Sequence, residues 1–89
     1  MAKRKVADMV CVDGEVARLP GTVAKLPLDR VQSIVGGYIE HAKGIVKGTE
    51  LWCNEEGWLL RLPYNRTASE WTGHTVAGDA IVEYFEDVE

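Results

Sequence analysis

The side chains with the widest chemical range in this 89-residue sequence are two cysteines, two histidines and two adjacent glutamates: Cys11, Cys53, His41, His74, Glu55 and Glu56. No two of the cysteines and histidines have the short spacing that zinc ligands show. Neither histidine lies in a recognisable motif with a serine or cysteine nucleophile, and there is no glycine-rich phosphate loop. The two glutamates share a predicted turn, where both are solvated, whereas catalytic carboxylate pairs need different environments. We therefore predict a non-enzymatic protein with no metal and no cofactor.

The composition is that of one small folded domain. Hydrophobic residues make up 46% of the chain and charged residues 27%, which excludes general disorder. No apolar stretch approaches the roughly 20 residues that span a bilayer. The basic start is not followed by an apolar segment, so we expect no signal peptide and a cytoplasmic location. Both cysteines lie in apolar, strand-like runs and are expected to be reduced core thiols.

Charge is distributed unevenly along the chain. Ten basic and fourteen acidic residues give a net charge of −4, and a chain without a broad basic face is not expected to bind nucleic acid. We divide the chain into a basic, flexible start (1–5), one domain (6–85) and an acidic tail (86–89). An open alternative is that the basic start pairs with the acidic end.

The pattern of residues predicts strands, one helix and turns. Asp13-Gly14 predicts a tight hairpin turn between strands 6–12 and 15–19. A helix is predicted from Pro27 to Val35, because proline suits the first turn and Gly36-Gly37 can end the helix. Further strands are predicted at 38–46, 49–54, 58–62 and 76–85. Asn65 or Thr67 could cap a single helical turn within 64–74.

These elements define the predicted fold class. The order β-β-α-β-β-β-β favours an α+β domain in which a mixed or antiparallel, curled sheet packs on one short helix, in the manner of a β-grasp. The order in which the strands pair is left open.

Four blocks in this sequence are similar to a known pattern: Gly36-Gly37-Tyr38-Ile39-Glu40, Cys53-Asn54-Glu55-Glu56-Gly57, Leu62-Pro63-Tyr64-Asn65-Arg66 and Ala77-Gly78-Asp79-Ala80-Ile81-Val82. Together they resemble a small domain-of-unknown-function family encoded by bacteriophages, plasmids and some bacteria, over about residues 5 to 85. The three tryptophans, Trp52, Trp58 and Trp71, fall outside this pattern. The resemblance implies a mobile-element accessory protein in a bacterial cytoplasm, and it carries no activity over to this chain.

Two features are candidates for binding. The segment 62–67 combines a rigid proline with Arg66, whose planar fork suits carboxylate or phosphate. Alternatively, Asn65 caps the next turn and Arg66 pairs with Glu55 or Glu56. The tryptophans could form a binding hot spot or could fill the core of a small domain.

Our leading hypothesis is a protein that docks on a host protein and modulates it, with inhibition of a host defence system as the specific version. The acidic last strand would occlude a basic surface of the target. The predicted contact residues are Tyr64, Asn65, Arg66, Trp71, Asp79, Glu83, Glu86 and Asp87.

Two other hypotheses remain open. The chain could bind a small molecule such as a nucleotide signal, with Arg66, Lys43 or Lys47 on the phosphate and a tryptophan on the base. Alternatively, the domain could have only a structural role in an assembly, since an open edge at the last strand could pair two copies as a homodimer.

Overall fold

The computed structural model describes residues 2–88, so Met1 of the predicted basic start and Glu89 of the predicted acidic tail lie outside it. Five strands and two helices follow one another along the chain: β1 (Ala2–Val10), β2 (Val16–Arg18), α1 (Leu28–Val35), β3 (Ile39–Lys43), β4 (Glu50–Asn54), α2 (Arg66–Thr72) and β5 (Ala80–Val88). A short 3-10 helix, Val23–Lys25, precedes α1. None of the helices in residues 2–88 is long and apolar enough to cross a membrane.

All five strands form one antiparallel sheet in the order β2-β1-β5-β4-β3. The first and last strands pair along their whole length, from Ala2 opposite Val88 to Val10 opposite Ala80. The α+β class predicted from the sequence is confirmed.

The two helices cover opposite faces of this sheet. Successive side chains of a strand point to opposite faces, and the neighbours Ile81 and Val82 in β5 are both fully buried. Val82 packs in a cluster with Ala68 of α2, whereas Ile81 packs in a cluster with Val31 of α1. The expectation of a single helix is therefore wrong, because the predicted helical turn near Asn65 is a seven-residue helix.

The helix predicted from Pro27 to Val35 is present as α1. The helix begins at Leu28 and ends at Val35, and Gly36 adopts a left-handed conformation (φ 81°) at its C-terminal cap. Leu28, Val31 and Val35 recur at helical spacing, which predicts one buried apolar face. Val31 and Val35 are buried, whereas Leu28 is 65% exposed.

Two predicted strands differ from the structure. The segment 58–62 is a series of turns rather than a strand, so the predicted seven-element order is also wrong. The last strand begins at Ala80 rather than Val76, because Gly78 has a positive φ of 85°. Before it, Ala77 makes only an isolated bridge with Tyr64.

The start of the chain, which we expected to be flexible, lies in β1 opposite the acidic end of β5. Lys3 and Asp87 approach to 3.4 Å, and Arg4 and Glu86 to 2.9 Å. Cross-strand pairs of opposite charge favour this register, so these residues belong to the sheet.

Candidate functional site

Three consecutive large apolar side chains are exposed in the segment that joins β4 to α2. Trp58, Leu59 and Leu60 are 58%, 77% and 55% exposed. We call residues 55–63 the apolar loop. Burying one such side chain stabilises a fold by about 1.5–3 kcal/mol. At these three consecutive positions the fold lacks much of that stabilisation. Exposed apolar patches of this kind mark interaction sites.

Hydrogen bonds hold the backbone of the apolar loop in one conformation. Asn54 begins it, since its side-chain Oδ1 accepts from Glu56 N (2.8 Å) and its carbonyl accepts from Gly57 N (3.1 Å). Leu60 N donates to Glu56 O at 2.8 Å, and Leu62 N donates to Gly57 O at 2.9 Å. A loop ordered in advance loses less conformational entropy on binding than a flexible one does.

Two further contacts constrain the apolar loop. Arg61 has a φ of 57° and is the one non-glycine residue with a positive φ among residues 2–88, a conformation that costs about 1 kcal/mol or more. A Cβ added at Gly57 would lie 2.9 Å from the Ala77 carbonyl oxygen, so the loop passes directly over the chain that leads to β5. Backbone strain of this kind is concentrated at functional sites.

Sequence reasoning missed the loop because it placed 58–62 in a hairpin strand. The signal was available: Trp58, Leu59 and Leu60 are consecutive, whereas a strand with one solvated face alternates apolar and polar residues.

The structure separates the members of the predicted contact segment 62–67. Tyr64 is 53% exposed and follows the apolar loop directly. Arg66 is exposed and its Nε donates to Glu70 Oε1 at 2.9 Å, so its partner is neither Glu55 nor Glu56. Asn65 is fully buried and therefore cannot contact a partner, which corrects its assignment to the binding surface.

Asn65 instead joins three parts of the fold. Its Oδ1 accepts from Ala68 N at 3.0 Å and caps α2, as the alternative interpretation expected. Its Nδ2 donates to Val10 O at the end of β1 and to Gly78 O before β5, both at 2.9 Å. Val10, Ala68 and Gly78 are all buried, so the amide supplies hydrogen bonds to backbone groups inside the fold.

The predicted acidic contact residues are largely engaged within the protein. Asp79 Oδ1 accepts from Val12 N at 2.9 Å, and Asp87 pairs with Lys3. Glu83 is buried, and its carboxylate accepts from Val23 N at 2.7 Å and lies 3.2 Å from Lys5 Nζ. Glu83 is therefore not a surface residue, and the acidic strand offers a partner much less free charge than its sequence indicates.

Glu86 belongs to a polar network of side chains on β1, β2 and β5. It accepts from Arg18 (3.0 Å) and from Arg4 (2.9 Å), and these bonds lower its pKa. Arg18 also donates to the buried Asp8 at 2.7 Å, and the Tyr84 hydroxyl donates to the other oxygen of Asp8. The bond to Asp8 raises the pKa of Tyr84. The network ties β1, β2 and β5 together.

On the opposite face, Glu50 lies between Lys5 and His41. Its Oε1 is 2.9 Å from His41 Nε2, and His41 stacks on Trp52 with 4.3 Å between ring centroids. The hydrogen bond from Lys5 lowers the pKa of Glu50 and raises that of Lys5. Within residues 2–88, no group of three or more histidine, cysteine, aspartate or glutamate side chains is arranged to hold a metal ion.

These carboxylates predict a loss of stability in acid. The pKa values of Glu50 and Glu86 are lowered from the ordinary 4.5. A group whose pKa is lower in the folded state stabilises it fully above its unfolded pKa, and this contribution is lost as the pH falls through the folded pKa. We expect the urea midpoint to be flat from pH 7 to 5 and to fall below about pH 4.5. Glu50→Gln should show a smaller fall, and a midpoint that stays constant down to pH 3 would contradict this account.

The remaining tryptophans are half-buried. Trp52 packs beside the cluster under α1. Trp71 meets Tyr84 edge to face at 5.8 Å and, with Val46, Val82 and Tyr84, lines an open apolar groove of about 460 Å³. One of the predicted contact residues, Trp71, therefore lies on a concave apolar surface.

Both cysteines are free and only partly buried. Burial raises the pKa of Cys53 to about 11, so its thiol is protonated at neutral pH and is a poor nucleophile.

The fold and the exposed loop define a small α+β domain with a preformed apolar surface. Residues 9–87 match the family described as "Domain of unknown function (DUF3846)". The chain belongs to this family. No curated protein and no solved structure gave a significant match to the chain.

Proposed function

We propose that this chain is a non-enzymatic protein that docks on a host protein through the apolar loop and modulates it. The observation that carries the proposal is the exposure of Trp58, Leu59 and Leu60 on a loop with a hydrogen-bonded backbone. Tryptophan is enriched among the residues that dominate binding energy, and a rigid loop keeps the entropic cost of association low.

The charges around the apolar loop indicate the chemistry of the partner. Glu55 and Glu56 are exposed at its start and Arg61 near its end, which gives the segment a net negative charge. An apolar pocket with a basic rim complements such a surface. An anionic lipid bilayer repels it, so a protein is favoured over a membrane surface.

Occlusion remains the proposed mode of action, with the contact moved from the acidic last strand to the apolar loop and Tyr64. When Trp58 occupies a pocket of the partner, no other ligand can enter that pocket. The mobile-element origin and the inhibition of host defence rest on the sequence resemblance, which supports a host protein as the target.

The test compares variants in quantitative affinity capture from host lysate, followed by titration with the purified partner. We expect Trp58→Ala to weaken binding by about 2 kcal/mol, or roughly thirtyfold in Kd, as for a hot-spot tryptophan. Leu59→Ala should weaken it by a smaller amount.

Leu28→Ala is the matched control, because Leu28 is similarly exposed but lies on α1. It should bind as the wild type does. If Trp58→Ala binds the partner as tightly as the wild type does, the proposal is wrong. It is also wrong if the wild type floats with anionic vesicles and Trp58→Ala does not, since the loop would then bind a membrane.

A further inference from the structure

The face of the sheet opposite the Tyr84 groove carries a second cavity, of about 370 Å³. It lies between β5 and the β3–β4 connection and is lined by Lys5, Lys43, Gly44, Lys47, Gly48, Thr49, Glu50 and Phe85. Phe85 is 51% exposed and lies directly across the strand pair from Lys5. The volume is within the range of about 300–1,000 Å³ that is common for small-molecule sites.

The lysines of this cavity differ in what they contact. Lys5 is committed to Glu50 and Glu83. Lys43 and Lys47 form no ion pair with any residue in 2–88. The lining thus carries three lysines and one carboxylate, Glu50, which pairs with Lys5. Its local charge is positive, although the net charge of the chain is −4.

A third cavity, of about 380 Å³, lies against the same ring and shares Lys47, Gly48 and Thr49 with the 370 Å³ cavity. Lys3 and Tyr84 complete its lining. The edge of Phe85 approaches the backbone at Gly48, where an added Cβ would lie 4.0 Å from the ring. The aromatic ring therefore lies beside the turn that carries Lys47.

We propose that this site binds a nucleotide, with the base stacked on Phe85 and the phosphate held by Lys43 and Lys47. Aromatic side chains stack on any nucleic-acid base, because every base has a π-face. Lysine binds phosphate as a point charge. Arg66, which could have served the phosphate by sequence, pairs with Glu70 on α2 and takes no part. This site is separate from the apolar loop, so either proposal can fail without the other.

The experiment titrates ¹⁵N-labelled protein with ATP, adenosine, inorganic phosphate and a single-stranded oligonucleotide. We expect ATP to bind at least about tenfold more tightly than adenosine or phosphate alone, because stacking and charge act together. Tighter binding of the oligonucleotide than of ATP would assign the site to single-stranded nucleic acid, and the reverse to a free nucleotide. Equal affinity for phosphate and ATP, or no binding of either nucleotide form at millimolar concentration, would overturn the proposal.

Variants locate the site. Phe85→Leu keeps an apolar side chain but removes the π-face, and we expect it to weaken ATP binding about tenfold. The double variant Lys43→Gln/Lys47→Gln should weaken it as much and reduce its dependence on salt. Lys25→Gln/Arg30→Gln removes the same charge from the region of α1 and should leave binding unchanged. Binding that survives both site variants would contradict the assignment.

Discussion

Asn65→Ala is expected to lower the free energy of unfolding by about 3–4 kcal/mol, although it removes only one small side chain. The substitution removes the cap of α2 and the hydrogen bonds that Asn65 Nδ2 donates to the buried carbonyls of Val10 and Gly78. An N-terminal cap is worth about 1 kcal/mol, and each buried polar group left unpaired costs about 1–3 kcal/mol. For a domain of this size, the thermal midpoint should fall by more than about 12 °C.

Two comparisons make this prediction specific. Arg66→Ala changes the adjacent, exposed residue and should leave the urea midpoint almost unchanged, since only a surface ion pair is lost. Asn65→Asp keeps the oxygen that caps α2 but loses both donated hydrogen bonds, so it should be nearly as damaging as alanine. Urea unfolding followed by circular dichroism measures all three variants, and an aspartate variant as stable as wild type would show that the two strand contacts contribute little.

Glu83→Lys is expected to destabilise the fold by about 3–5 kcal/mol, the cost of breaking a buried ion pair. The new ammonium group would lie beside Lys5 in a position that is 3% exposed, and the backbone N–H of Val23 would lose its acceptor. Glu83→Gln should be intermediate, because an amide oxygen can still accept from Val23.

Asp87→Lys is the matched control for this charge reversal. Asp87 lies on the same strand and, four residues along, on the same face, but its side chain is exposed and its partner is Lys3. Exposed pairs of this kind contribute about 0–1 kcal/mol. If Glu83→Lys and Asp87→Lys unfold at the same urea concentration, the structural role of Glu83 is disproved. If they differ as expected, any loss of partner binding in Glu83→Lys reports unfolding rather than a lost contact.

These expectations change the role of the acidic strand. A sequence rich in acidic residues at one end suggests a charged docking edge, yet here Glu86 pairs with Arg4 and Arg18, and Asp87 pairs with Lys3. Lys43 and Lys47, in contrast, form no ion pair with any residue in 2–88. Trp58 is the most exposed of the three tryptophans. The surfaces that we propose for binding are therefore the ones that internal contacts leave unused.

The sequence alone determined the features that depend on neighbouring residues. The helix α1 and its glycine cap, the reversal around Gly14 and the cap at Asn65 were predictable, because capping and turn conformation are decided within a few residues. The α+β class followed from the same local patterns.

Only the tertiary structure decided which of these residues are available for function. Asn65 and Glu83 are buried because β1 pairs with β5 from Ala2 to Val88 and because a helix covers each face of the sheet, and neither arrangement is encoded in a short window. Trp58 is exposed because the loop that carries it is fixed by Asn54 at the end of β4 and packs closely on Ala77, which is distant in the sequence. Burial depends on contacts between residues far apart in the chain, and a local pattern reports those contacts only indirectly.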